Sequence, residues 1–135
     1  MKKVSILVPE SSVMQAIADP QYLFSAVNQF LLAAGKDPLF EVELVGASSE
    51  VRLNNGMFSV HTDKQIKEVK KTDLVFIPAL FGDMQQSIEK NKALIPWIQD
   101  QYHRGAEVAS LCVGAFPWLQ PGYSMERNAP HTGGL

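Results

Sequence analysis

Four short apolar runs divide the chain: VSILV at 4–8, FEVELVGA at 40–47, LVFIPAL at 74–80 and EVASLC at 107–112. The first and third are nearly continuous in β-branched and aliphatic residues, which marks strands covered on both faces of a parallel sheet. Between the first two runs lies a helical pattern. Leu23, Ala26, Val27, Phe30, Leu31 and Ala34 recur at helical spacing, with Asp19–Pro20 as the expected N-cap and first-turn proline and Gly35 as the stop. A second helix is expected over 92–104, with Leu94, Ile98 and Tyr102 on one face and Gly105 ending it. Strand, helix, strand, repeated, predicts an α/β fold with a doubly wound parallel sheet and right-handed crossovers.

VRLNNGMFSVHT (51–62) breaks that alternation. Asn55–Gly56 between two β-prone pieces signals a hairpin, a small antiparallel excursion at a sheet edge. The run KQIKEVKK (64–71) reads as a solvated helix face beside the third strand. No internal repeat, low-complexity tract or linker interrupts the chain.

With 135 residues the chain is expected to form one domain. Hydrophobic residues at 46% and charged residues at 19% describe an ordinary globular composition. A net charge of −2 and the lack of a Lys/Arg-rich run give no electrostatic case for direct nucleic-acid binding. No apolar segment approaches the ~20 residues of a membrane span. The opening MKKVSILVPESS has an apolar run too short for a secretory leader, meeting Pro9 and Glu10 at once. A single cysteine excludes an internal disulfide and fits a reducing cytoplasm.

That cysteine lies in ASLCVGAF (109–116). A nucleophile at a sharp strand-to-helix turn needs small residues two before and two after it, where larger side chains would collide. Ser110-Leu111-Cys112-Val113-Gly114 satisfies this, follows a strand, and would aim the thiol at a helix N-terminus, which favours thiolate. The same spacing equally allows a small buried residue ending a strand.

Three further motifs resemble a known family: VSILVPE at the start, DLVFIPAL-GD at 73–83, and N-x-x-L-I-P-W-I-x-x-Q-x-x-x-G-A-E-V-A-S-L-C-V-G-A-F at 91–116. Together they are similar to the class I glutamine amidotransferase-like (PfpI/ThiJ) superfamily, most of all to the amino-terminal domain of AraC-type transcriptional regulators. The resemblance runs from about residue 3 to 116, and implies a flavodoxin-like sheet. It puts Cys112 at the elbow cysteine, flanked by Val113 and Gly114. Pro78–Gly82, including Ala79, Leu80 and Phe81, falls on the loop whose amides serve as oxyanion donors in catalytic members.

Two departures from the family pattern bear on activity. Catalytic and redox-sensing members carry a glutamate that contacts the cysteine. Counting back from Pro20 puts that position near Ser12 or Val13, neither acidic, with Glu10 the nearest carboxylate. Peptidase-like members place His after the cysteine, where this chain has Val113. A thiol without base or orienting acid is a weak catalyst. The resemblance therefore implies a non-catalytic small-molecule-sensing domain, with its ligand pocket at the carboxyl ends of the strands around Cys112, taking in Glu10, Ala79, Leu80, Phe81, Gly82, Val113 and Gly114. The alternatives are a PfpI-like cysteine hydrolase or amidotransferase using Cys112, and a redox-sensing thiol. A Glu or His within ~3.2 Å of the sulfur would favour catalysis.

After Phe116 the chain loses every family feature. Family members continue with L-A-x-x-G-L-L-D-G-x-x-x-T/S-T-H-W. Back-translated and read one base earlier, WLQPGYSMERNAPHTGGL (118–135) permits LAATGLLDGKECSTHWRA. Trp118 (TGG) followed by Leu119 (CTN) gives GCT, alanine. Met125 (ATG) followed by Glu126 (GAR) gives a glycine codon. The expected organisation is an incomplete amidotransferase-like domain at 1–116 and an out-of-frame tail at 117–135, from a one-nucleotide slip near Phe116–Pro117. The alternative is a natural short protein with an unusual terminus. A C-terminally truncated sheet of this kind lacks its last strands and any helix-turn-helix reader, and leaves apolar surface open to homodimerisation or other self-association.

The remaining candidates add little. His61, His103 and His131 have no ligand spacing, so neither a metal nor another cofactor is expected. Pro78–Asp83 is not a Gly-rich phosphate loop. Met14, Met57 and Met84 read as core or pocket filler, and Phe81 and Trp97 suit either a pocket or ordinary packing. The ligand expected in the pocket is an unidentified small molecule.

Overall fold

In the computed structural model the described residues are 1–80, 82 and 84–111. Five parallel strands form one sheet: β1 (Lys2–Leu7), β2 (Phe40–Gly46), β5 (Lys64–Gln65), β6 (Leu74–Ile77) and β7 (Glu107–Ser110), in the order β5-β2-β1-β6-β7. Between β2 and β5 stands a separate hairpin of β3 (Glu50–Leu53) and β4 (Phe58–His61). Among the described residues there are three α-helices: α1 (Met14–Ala33), α2 (Met84–Lys90) and α3 (Leu94–His103). This is the doubly wound arrangement the strand pattern predicts, flavodoxin-like as the resemblance implies, and the antiparallel hairpin is present.

β1 is the centre of the sheet, pairing with β2 on one edge and β6 on the other. Its alternate residues therefore feed two cores. Val4, Ile6 and Val8 pack with Ile17 of α1 and with Val51, Leu53 and Val60 of the hairpin. Leu7 packs on the other face with Val75, Ile77 and the α3 residues Leu94, Ile95 and Ile98. The hairpin is more than an excursion, because it closes one end of the α1-side core. Its turn residues Asn54, Asn55 and Gly56 all take left-handed φ, 53°, 55° and 85°, which Asn and Gly tolerate best.

Several elements depart from the sequence reading. α1 begins at Met14, six residues before the predicted first-turn proline, so Pro20 lies inside the helix and Val13 is an N-cap without a side-chain bond. Tertiary contact decides this start: Val13 N–H donates to the Ala79 carbonyl at 2.9 Å, and Ala16 and Ile17 are buried against the sheet. The buried face consequently runs through Ile17, Pro20 and Phe24 (half-buried), and the predicted stripe is rotated outward, with Leu23 61% and Phe30 76% exposed. Gly35, at φ 76°, does end the helix.

On α3 the buried position predicted for Tyr102 belongs to Gln101, while Tyr102 is exposed. Trp97 packs against the core and its indole N–H donates to the Val69 carbonyl at 3.0 Å, so packing explains it. KQIKEVKK is not a helix face. It forms β5 and one 3-10 turn, Ile66–Glu68, then runs extended with Val69 buried. α2 is an addition that weak periodicity over seven residues did not signal.

Candidate functional site

The direction of winding reverses between β2 and β6, the two neighbours of β1, and in open α/β sheets such a reversal opens a crevice at the carboxyl ends of the strands. A cleft of about 340 Å³ opens on the loops that follow β1 and β6. Glu10 and Ser11 line it from the loop after β1, Gly82 from the loop after β6, and Gln86, Ser87 and Lys90 from α2. Arg52 and the Asn54–Asn55–Gly56 turn complete it from the hairpin.

The floor is held by hydrogen bonds between these loops. Asn91, just beyond α2 and 9% exposed, accepts from Glu10 N–H at 2.8 Å and donates to the Glu10 carbonyl at 3.0 Å. It donates as well to the Ser87 carbonyl at 2.8 Å. The Ser12 hydroxyl, fully buried, donates to the Pro9 carbonyl, and Ser12 bridges Leu80. Leu111 N–H donates to the Ile77 carbonyl at 3.1 Å, which carries the chain beyond β7 along the end of β6.

Of the expected pocket residues, Glu10 and Gly82 line the cleft, the former exposed and the latter at φ 93°. Ala79 and Leu80 are half-buried behind it. The Ala79 carbonyl is bonded to Val13, and Leu80 packs on the α3-side core. Phe81, Cys112, Val113 and Gly114 lie outside the described residues. So does His131, while His61 and His103 are exposed. The first turn of α1 carries no acidic residue. Among the described residues no three His, Cys, Asp or Glu side chains gather as a metal site.

Sequence reasoning missed Asn91, Arg52, Gln86 and Lys90. Asn91 is separated by 81 residues from the backbone it holds, a spacing that no local pattern encodes. The NNG signal identified the turn and was silent about what the turn faces.

No family model matches the chain, and no curated protein matches it. Solved structures do. A candidate transcriptional regulator from Vibrio parahaemolyticus aligns with TM-score 0.65 and 21% identity, over 81% of this chain and 55% of its own. A ThiJ/PfpI family protein from Pseudomonas syringae aligns with TM-score 0.65 and 13% identity, over 85% of this chain and 43% of its own. An AraC family transcriptional regulator from Pseudomonas putida aligns with TM-score 0.56 and 12% identity, over 82% of this chain and 55% of its own. The chain thus has the fold of the ThiJ/PfpI proteins, transcriptional regulators among them, and spans about half the length of these three structures.

Proposed function

We propose that this chain is a non-catalytic, small-molecule-sensing domain of an AraC-type transcriptional regulator. One observation carries the reading. A polar cleft suited to hold a ligand sits at the carboxyl ends of β1 and β6, and its one described carboxylate, Glu10, lies outside the first turn of α1, which carries no acidic residue. The AraC and candidate-regulator structures sharing the fold support the regulatory assignment. On this reading the thiol of Cys112 carries out no chemistry, and the ligand binds in the cleft.

Residues 117–135 are an out-of-frame continuation, from a one-nucleotide slip near Phe116–Pro117. The protein acts in the cytoplasm and does not itself bind nucleic acid. Among the described residues no helix is long and apolar enough to cross a membrane. It self-associates, for which the exposed Leu23 and Phe30 of α1 offer an apolar surface.

Iodoacetamide labelling of Cys112 against pH tests the chemistry. A midpoint near the free-thiol value of ~8.5 is expected. A midpoint below ~7 would overturn the non-catalytic reading in favour of a hydrolase, amidotransferase or redox thiol. Genomic sequence across the Phe116 codon tests the frame. LAATGLLDGKECSTHWRA should be encoded in the shifted frame, and an in-frame reading with no slip relative to close relatives refutes it.

A further inference from the structure

Left-handed backbone is concentrated at the cleft. Among the described residues Gly35 and Gly105 take positive φ at helix ends, and the other positive-φ residues are Ser11, Asn54, Asn55, Gly56 and Gly82. Every one of these five lines the cleft. Asn54 and Asn55 take the backbone of an ordinary hairpin turn, whereas Ser11 carries a Cβ without the tolerance of Asn for this conformation, and such outliers gather at ligand-holding sites. Successive N–H groups in turn conformations also form concavities that accept anions. Gly56 and Met57 spend their N–H groups closing the turn, whereas Asn55 makes no hydrogen bond to any described residue.

Charge points the same way. The cleft's described lining has two cations, Arg52 and Lys90, against one carboxylate, Glu10, on a chain of net charge −2. Lys64, Lys92 and Arg104 each pair with an acid, but Arg52 and Lys90 form no ion pair among the described residues. The Arg52 guanidinium folds back over the turn: its Nη2 stands 3.4 Å from where a Cβ on Gly56 would be. The missing side chain at Gly56 leaves room for that planar fork, whose donors match the paired oxygens of a carboxylate or phosphate.

We propose that this cleft binds a small organic anion, held by Arg52 and Lys90 across the left-handed hairpin turn. The inference rests on the sensing reading above and names the ligand class for that site. Asn55 and Gln86 supply amides for neighbouring hydroxyls. A volume of about 340 Å³ suits a metabolite. Carboxylate and phosphate share the required chemistry, charged oxygens presented in a fork.

The test is a titration of the ¹⁵N-labelled full chain, followed by amide shifts, with citrate, inorganic phosphate and neutral ribose in separate arms. Citrate or phosphate should move Ser11, Asn55, Gly56 and Gly82, and the arm that saturates first identifies the oxyanion. R52Q and K90Q, both at exposed positions, should each weaken binding roughly three- to tenfold. E10Q should tighten it, because it removes the like charge. Affinity unmoved by R52Q and K90Q, or lowered by E10Q, overturns the proposal. Shifts with ribose alone overturn the anion class and leave the sensing site standing. No shift in any arm at millimolar probe overturns the anion proposal and counts against the sensing reading of the cleft.

Discussion

Asn91 holds the backbone of Glu10 by both ends of its amide, accepting at 2.8 Å and donating at 3.0 Å. The pairing fixes the loop after β1 to the end of α2, and so sets the distance between two walls of the cleft. Asn91→Ala leaves a part-buried loop amide and carbonyl without partners, at a cost of about 1–2 kcal/mol. Urea unfolding should show that loss, and hydrogen exchange should accelerate at Glu10. An unchanged exchange rate at Glu10 would mean the clamp does not hold the loop.

The parts of this fold legible in the sequence are those specified by neighbouring residues. VSILV and LVFIPAL read as strands because β-branched residues covered on both faces leave continuous apolar runs. Gly35 and Gly105 read as helix stops because left-handed ends favour glycine. The hairpin read from Asn55–Gly56 for the same reason. What failed was decided at long range. Pro20 carries the signature of a first turn, but burial of Ile17 and the Val13–Ala79 bond extend α1 behind it. Gln101 fills a core position no hydropathy pattern assigns to glutamine, since its value lies in partners elsewhere. At the cleft, Glu10 and Gly82 come from loops next to strand ends and could be named. Arg52 and Lys90 come from the hairpin and α2, and only the fold brings them together.

Gln101 belongs to a buried polar chain. Its Oε1 accepts from Thr72 N–H at 3.0 Å, its Nε2 donates to the Lys70 carbonyl at 3.0 Å, and Thr72 accepts from the Ser5 hydroxyl at 2.9 Å. Ser5, Thr72 and Gln101 are each no more than 2% exposed, so their polar atoms have little water to fall back on. Gln101→Leu keeps the volume and strands two backbone groups, which should cost roughly 2–4 kcal/mol. A shift in the urea midpoint at constant m-value is the expected readout. A near-neutral result would show that β1, the approach to β6 and α3 do not depend on this chain of bonds.

Asp73 sets a limit on acid stability. Its carboxylate accepts from the Lys3 N–H at 2.8 Å, and this bond, helped by Lys2, Lys71 and the N-terminus, lowers its pKa below 3.8 despite some desolvation. A depressed folded-state pKa means the stabilisation is complete above the unfolded value and disappears as pH falls through the folded one. The unfolding midpoint should therefore decline below about pH 3.8 through this group. Asp73→Asn should flatten that part of the profile and leave the neutral-pH slope alone. Identical acid limbs in the two proteins would remove Asp73 from the account.

Leu23 and Phe30 lie seven residues apart on α1, at 61% and 76% exposure. That spacing puts them on one side of the helix, two turns apart, beside the face that buries Ile17 and Pro20. Large apolar groups aligned on an outer helix face favour contact with another apolar surface, and the proposed self-association offers a second copy. Sedimentation velocity over a concentration series should show association in the parent chain, and Leu23→Glu with Phe30→Glu should shift it to monomer. Because neither side chain contributes to the core, the monomer's unfolding free energy should change by no more than about 0.5 kcal/mol per site. A parent chain that stays monomeric across the series would end the self-association reading. A double variant that still associates would move the contact off α1.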